Sequence, residues 1–153
     1  MWKSFFTIRI MGDPVATGRV RFSKQGGAYK PTKTRNAMAR RIVLIQKSMR
    51  ENNVSKTDLA VRVELNFYHK RPQRLKTKKY NQKELIFKTT KPDVDNLIKL
   101  MLDSGTNAGL WEDDNQICQI EVKDWYSCDP DPDPRTIMNV CLWEPDNENI
   151  SYT

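Results

Sequence analysis

The sequence predicts one small α/β domain, of the α+β kind, in which two helices pack on a single mixed β-sheet. The chain has 153 residues, enough for one domain with a substantial core. Its composition, 38% hydrophobic and 29% charged, is typical of a globular protein. Hydrophobic periods of two and of 3.6 residues follow one another in the order β-α-β-α-β-β. We expect the domain to span 1–145 and a short C-terminal tail to follow over 146–153.

Nothing in the sequence indicates a membrane span, a secretion signal, a disulfide framework or a zinc site. No apolar run reaches the roughly 18 residues of a membrane helix. Lys3 and Arg9 interrupt the apolar N-terminal stretch, so we expect no signal peptide. Cys118, Cys128 and Cys141 are odd in number and lack CxxC spacing. We therefore expect a protein of the reducing cytoplasm.

The first predicted strand covers 5–11, where apolar and polar residues alternate. A long loop, 12–33, follows it and is rich in glycine, proline and cations. Loops of this length without regular structure are uncommon and often functional. The cations of this loop that we assign to DNA binding are Arg19, Arg21 and Lys24.

The next two elements are a helix over 34–51 and a strand over 59–68. Apolar residues recur at helical spacing in the first segment, and its methionines are expected to pack in the core. In the second segment strict alternation predicts a half-buried strand. Its inward-facing residues are Leu59, Val61, Val63, Leu65 and Phe67.

A dense run of cations, "HKRPQRLKTKKYNQK" (69–83), follows this strand. One interpretation is a flexible solvated loop. The other is an arm that grips phosphate, because Lys and Arg on a mobile loop can follow a DNA backbone of any sequence. The lone His69 stands at the strand end and is expected to be structural. The DNA-binding candidates here are Lys70, Arg71, Arg74, Lys76, Lys78 and Lys79.

The segment "KPDVDNLIKLMLD" (91–103) predicts an amphipathic helix that begins near Pro92. Asp95, Lys99 and Asp103 follow one another at i, i+4 and i+8 on its polar side. A structural explanation exists for each charge, since the helix dipole stabilises an early Asp and Asp95 can pair with Lys99. The stripe expected to be buried is Val94, Leu97, Ile98 and Met101.

The helix dipole and the Asp95–Lys99 pair do not explain Asp113 and Asp114. These two residues follow a turn at 107–109 and open a predicted strand over 115–125. If this strand runs back beside the helix, two or three carboxylates converge. Like charges at that range repel unless a cation lies between them. Oxygen ligands without nearby His or Cys suit Mg²⁺ or Mn²⁺ and not zinc. The spacing therefore predicts a magnesium site.

The C-terminal part completes the sheet. "DPDPDP" (129–134) predicts a turn, because each proline removes an amide donor. A calcium loop is the alternative, but the glycine and terminal glutamate of such loops are missing. A last strand is expected over 136–143.

The charge is strongly asymmetric along the chain. Residues 1–91 contain 23 Lys and Arg against 5 Asp and Glu, whereas residues 92–153 contain 3 against 14. A basic half favours a polyanion, and nucleic acid is the commonest one in cells. A solvated cationic surface is the alternative. A magnesium site beside basic loops is typical of a metal-dependent nuclease.

The segment "KPDVDNLIKLMLDSGTNAGLWEDDNQI" (91–117) resembles the signature of the RusA family of Holliday junction resolvases, which are common in phages and prophages. That signature is an Asp-x-Asp-Asn-Leu-x-Lys helix, then a turn to an Asp-Asp pair that opens a strand. The N-terminal strand, "GDP", "GRVRF" and "YKPTK" extend the resemblance. Two departures stand out. Ser104–Gly105 replaces a helix-favouring pair, so we expect the helix to end early, and Lys91–Pro92 replaces arginines, which alters DNA contacts.

The resemblance implies roles for individual residues. Asp93 and Asp95 match the paired catalytic aspartates, and Asp114 matches the third acid. Lys99 matches the lysine needed for cleavage, and Asp113 is the neighbouring member of the Asp-Asp pair and a further metal ligand. The implied protein is a Mg²⁺-dependent homodimer in the bacterial host cytoplasm, which resolves four-way DNA junctions by paired symmetric nicks in recombination and repair.

Two other functions stay open at this point. One is a branched-DNA-binding protein without catalysis, which would hold junctions equally well with or without metal and leave them uncut. The other is a nuclease for other branched or flap DNA.

Overall fold

The computed structural model describes residues 1–146, which form one mixed sheet with two long helices packed on it. The α+β class and the order of the long elements are confirmed, and the part of the predicted tail at 147–153 lies outside the described residues. The helices are α1 (Thr32–Glu51) and α2 (Val94–Ala108). The strands are β1 (Trp2–Met11), β2 (Arg21–Phe22), β3 (Ala28–Tyr29), β4 (Val61–His69), β5 (Ile86–Phe87), β6 (Ile117–Tyr126) and β7 (Arg135–Trp143).

The main sheet has the strand order β1-β7-β4-β6-β5, and β2 and β3 form a separate hairpin. All neighbours in the main sheet are antiparallel except β4 and β6. A parallel pair needs a long crossover connection, and here the crossover contains α2. His69 at the end of β4 contacts Asp124 of β6, with Nε2 and Oδ1 2.6 Å apart, so this histidine joins the parallel pair.

The core lies between the two helices and one face of the sheet. Val61, Val63, Leu65 and Phe67 of β4 are buried, as the period of two predicts, and alternate residues of β1 and β7 join them. The prediction that Leu59 faces inward is wrong, because β4 begins only at Val61 and Leu59 is 42% exposed. The helices contact each other and contribute apolar side chains to the same cluster. Within residues 1–146, no helix is long and apolar enough to cross a membrane. The central buried side chains are Ile10, Ile45, Val63, Leu65, Phe67, Leu97, Met101, Trp111 and Met138.

The expectation that α2 ends early at Ser104–Gly105 is wrong. The helix continues to Ala108 and is closed by Gly109 in the left-handed conformation, with φ of 86°. The Ser104 hydroxyl donates to the Leu100 carbonyl oxygen at 2.6 Å, so its buried oxygen has a partner. Gly105 is required by packing instead: a Cβ there would lie 2.6 Å from the ring of Trp111.

The predicted buried stripe of α2 is correct in its middle and wrong at its start. Leu97 and Met101 are fully buried, and Ile98 is partly buried. Val94 is 39% exposed, because it lies in the first turn, one turn before the helix enters the core at Leu97. Leu100 joins the buried stripe.

We predict that Gly105→Ala lowers the free energy of unfolding by about 1–2 kcal/mol. Overpacking against Trp111 costs roughly 1–3 kcal/mol, and the better helix propensity of alanine offsets up to about 1 kcal/mol. Urea denaturation measures the difference. Gly27→Ala is the matched control, since a Cβ there would meet only Ser23 Oγ at 3.6 Å. Equal stability of the two variants would contradict the packing assigned to Gly105.

Candidate active site

The exposed side of α2 carries the first group of predicted catalytic residues. Asp93 stands at the N-cap position, and its side chain makes no capping hydrogen bond. Asp95 lies in the first turn, where its Oδ1 accepts the N–H of Asn96 at 3.0 Å. Lys99 follows one turn later, and all three charged side chains are exposed. Both carboxylates therefore keep oxygen lone pairs available to a ligand.

The second acidic group is held by a capping box around a single 3-10 turn, Asp114–Gln116. Asp113 Oδ1 accepts the N–H of Asn115 at 2.8 Å, and the N–H of Asp113 donates to Gln116 Oε1 at 2.9 Å. Gln116 Nε2 donates to two carbonyl oxygens just before β4, at 3.0 and 2.9 Å. The network fixes Asp114 relative to the sheet. Sequence reasoning missed Gln116, although the Asp-x-x-Gln spacing of a capping box signals it.

The pKa of Asp114 is raised, first by hydrogen bonding with the neighbouring Asp113 carboxyl group and then by desolvation and by repulsion from Asp113 and Asp103. The pKa of Asp113 is lowered, first by the N–H of Asn115 and then by the same hydrogen bond from Asp114. Negative charge is therefore crowded at this end of α2.

The structure places the two acidic groups at opposite ends of α2. Asp114 lies within electrostatic reach of Asp103 in the third turn of the helix, and Asp103 also pairs with Lys30, with Nζ and Oδ2 3.7 Å apart. Asp95 lies eight residues before Asp103, about 12 Å away along the helix axis. Within residues 1–146, no group of three or more His, Cys, Asp or Glu side chains is close enough to hold a metal ion.

The donor set at both ends of α2 fits a divalent cation of the magnesium type. Every predicted ligand is a carboxylate, and hard oxygen donors suit Mg²⁺ and Mn²⁺. The residues that would hold the cation are Asp93, Asp95, Asp114 and Asp113.

The basic segment 69–83 folds around one buried arginine, which corrects the assignment of Arg71 to DNA binding. Its side chain is only 5% exposed. The guanidinium donates to the carbonyl oxygens of Ser127 at 3.0 Å and Asn81 at 3.2 Å, and also to that of Glu84. Arg71 therefore holds the segment in shape and cannot reach a phosphate. The exposed cations around it are Lys70, Arg74, Lys76, Lys78 and Lys79.

A second basic surface is the β2–β3 hairpin, which lies beside α2. Its three predicted DNA-binding cations, Arg19, Arg21 and Lys24, are exposed. The N–H of Thr17, at the hairpin base, donates to the carbonyl oxygen of Asn96 on α2 at 3.0 Å. Part of the positive surface is therefore fixed next to the first acidic group.

The chain is similar to a known family and to a curated protein. Residues 11–135 match the family described as "Endodeoxyribonuclease RusA". The sequence is also similar to "Uncharacterized protein YqaN" of Bacillus subtilis (strain 168), with 30% identity over 128 residues that cover 79% of this chain and 87% of the relative.

We predict that Asp113→Asn lowers the pKa of Asp114 towards the ordinary carboxyl value. The substitution removes both the acid that shares a hydrogen bond with Asp114 and the charge that repels it. Carboxyl ¹³C chemical shifts followed against pH measure this change.

Glu112→Gln is the control for this titration, because Glu112 is an exposed neighbour that is not among the causes of the shift. It should leave the titration of Asp114 unchanged. An unchanged pKa of Asp114 in Asp113→Asn would contradict the coupling described here.

Proposed function

The chain belongs to the RusA endodeoxyribonuclease family, and on that premise we propose that it is a divalent-metal-dependent endonuclease that cuts four-way DNA junctions. The observation that carries the proposal is the set of exposed carboxylates and a lysine on and beside α2, next to the cationic β2–β3 hairpin. Cations attract the DNA backbone, and the carboxylates hold the metal at the phosphate to be cut.

Asp93, Asp95 and Asp114 act as the metal ligands, with Asp113 as their neighbour. The cation is Mg²⁺, with Mn²⁺ as a substitute. When bound, it supplies Lewis-acid activation of the phosphate and of the attacking water. The network around Gln116 keeps the Asp113–Asp114 turn from moving. A fixed ligand geometry is what positions the reacting groups.

Lys99 acts on the phosphate and not on the metal. It lies one helical turn from Asp95 on the same side of α2 and is exposed. An ammonium group there stabilises negative charge that develops on the phosphate or on the leaving oxygen.

The cationic hairpin and the basic segment hold the DNA backbone. Phosphate contacts of this kind position a duplex without reading its sequence. The residues proposed for this role are Arg19, Arg21, Lys24, Lys70, Arg74, Lys76, Lys78 and Lys79.

The outer edge of β6 is suited to a homodimer. The Lys88 N–H donates to the Asp124 carbonyl oxygen at 2.9 Å, so β5 covers only the last part of β6. Within residues 1–146 no strand pairs with the remaining edge, 117–123. Ile120 is at the midpoint of that stretch and is 45% exposed. Free apolar edges of this kind are templates for pairing with another chain.

Antiparallel pairing of β6 with β6 of a second copy, centred on Ile120, gives hydrogen-bond partners to the unpaired backbone groups of this edge. Cys118 then lies opposite Val122 of the other copy, and Ile120 lies opposite its own counterpart. Ile120 and Val122 pair with Val63 and Leu65 and project from the same face as these buried residues, so the pairing buries apolar surface on the helix side. The arrangement is two-fold symmetric, as in most homodimers.

This pairing would unite the two acidic groups. Antiparallel strands place the beginning of β6 in one copy beside the end of β6 in the other. Asp114 precedes the beginning of β6. The start of α2 lies near the end of β6, because Thr90, four residues before α2, has its hydroxyl 2.9 Å from that of Tyr126, the last residue of β6. Asp114 of one copy thus meets Asp93 and Asp95 of the other. Two equal sites related by a two-fold axis match a junction cut by paired symmetric nicks.

We predict that Asp93→Asn and Asp114→Asn each reduce nicking of a synthetic four-way junction by orders of magnitude in Mg²⁺. Junction affinity in EDTA should be retained or increase, because each change removes a charge that repels phosphate. Lys99→Ala should also lose nicking, and excess Mg²⁺ should not restore it. Labelled junctions on denaturing gels report the nicks.

Asp129→Asn, an exposed aspartate in the 129–134 turn, is the control and should cut like the wild type. Equal cutting of linear duplex and junction by the wild type would show a nuclease without junction selectivity. Junction binding without cutting in either Mg²⁺ or Mn²⁺ would show a DNA-binding protein, and wild-type nicking by Asp114→Asn would remove that residue from the site.

A further inference from the structure

The β2–β3 hairpin exposes an aromatic side chain that the fold does not use. Phe22 is 77% exposed, although it is a large apolar residue in a paired strand. It pairs with Ala28, so this face of the hairpin is apolar. Arg21 pairs with Tyr29, which is 44% exposed, and these two side chains project from the other face. The hairpin therefore has one apolar face and one face on which a cation lies beside a second exposed ring.

Hydrogen bonds hold the turn of the hairpin in one shape. The Ser23 N–H donates to the Gly27 carbonyl oxygen at 2.8 Å, and the Gly26 N–H donates back to the Ser23 carbonyl oxygen at 3.0 Å. The Gly27 N–H also donates to Ser23 Oγ at 3.1 Å. Gly26 has a φ of 86°, which non-glycine residues rarely adopt. Phe22 directly precedes this turn, so the ring is presented near the tip of a defined structure.

The base of the hairpin is fixed on α2 at the candidate active site. Thr17 donates its N–H to Asn96, the residue after Asp95, and Lys30 forms an ion pair with Asp103 two turns later. The Gly18 N–H donates to Thr34 Oγ1 at 2.9 Å, which adds a link to α1. The base of the hairpin thus lies on the acidic side of α2.

An exposed ring among cations, next to a site for a phosphodiester, fits a nucleobase better than a protein partner. Cations on the same hairpin hold the backbone while the ring stacks on a base. Apolar side chains inserted between base steps must first unstack them. That cost is lower at the branch point of a junction, where base pairs at the crossover lose a continuous stack, than in linear duplex.

We propose that Phe22 recognises the branch point, by stacking its ring on a base at the centre of the junction. This inference rests on the proposed function, because it assigns the junction selectivity of that site to one residue. Phe22 increases affinity for branched DNA without increasing affinity for duplex, and it positions the strand at the crossover over the carboxylates of α2.

The test compares Phe22→Ala with Phe22→Trp, which keeps a stacking surface. Affinities for a four-way junction and for linear duplex are measured in EDTA, so that no cleavage occurs. Phe22→Ala should weaken junction binding about tenfold, the effect of losing one base–aromatic stack, and leave duplex binding unchanged. Phe22→Trp should restore junction binding. 2-Aminopurine at the branch point should change fluorescence with the wild type and Phe22→Trp but not with Phe22→Ala.

Val43→Ala is the matched control, because it removes another apolar side chain, 60% exposed, from α1. It should bind both DNAs like the wild type, and thermal unfolding should show that all variants fold. If Phe22→Ala binds junctions like the wild type, or weakens junction and duplex equally, the proposal is overturned while the nuclease proposal stands. If the wild type itself neither prefers nor cuts junctions, the proposed function fails first.

Discussion

The packing of Trp111 against Gly105 determines where the chain turns after α2, and the rest of the site depends on that turn. Trp111 is fully buried, its Nε1 donates to Thr106 Oγ1 at 2.7 Å, and its ring occupies the space that a side chain at position 105 would fill. The chain therefore leaves the helix at Gly109 and carries Asp113 and Asp114 to the end of α2 farthest from Asp93.

This geometry separates charges that would otherwise repel. Asp93 and Asp95 stand at the N-terminus of α2, where the helix dipole favours them, and Asp113 and Asp114 are stabilised by a hydrogen-bonded turn. Within one chain, the repulsion inside each acidic group costs little stability, because the carboxylates are exposed to solvent. Bringing the groups together in a dimer would be unfavourable without a cation between them, so metal binding and dimerisation should support each other.

Local patterns in the sequence predicted most of the fold and the position of each acidic group along it. The alternation of β4 and the helical periods of α1 and α2 are properties of neighbouring residues, and they appear as expected. The errors arise from distant contacts. The continuation of α2 past Gly105 depends on Trp111, and the burial of Arg71 depends on the carbonyl oxygens of Asn81, Glu84 and Ser127. The short strands β2, β3 and β5 have too few residues for a period to be visible.

The arrangement of carboxylates across two copies is tested most directly by mixing inactive chains. Asp93→Asn and Asp114→Asn chains are combined and refolded together, and junction nicking is measured in Mg²⁺. A dimer that contains one chain of each kind has one site with every carboxylate intact, so the mixture should recover about a quarter of wild-type nicking, as single nicks and not paired ones. A mixture of Asp93→Asn with Asp95→Asn should stay inactive, because both changes affect the same end of α2. If the first mixture is as inactive as its components, the carboxylates act within one chain, and the proposed site shared between two copies is wrong.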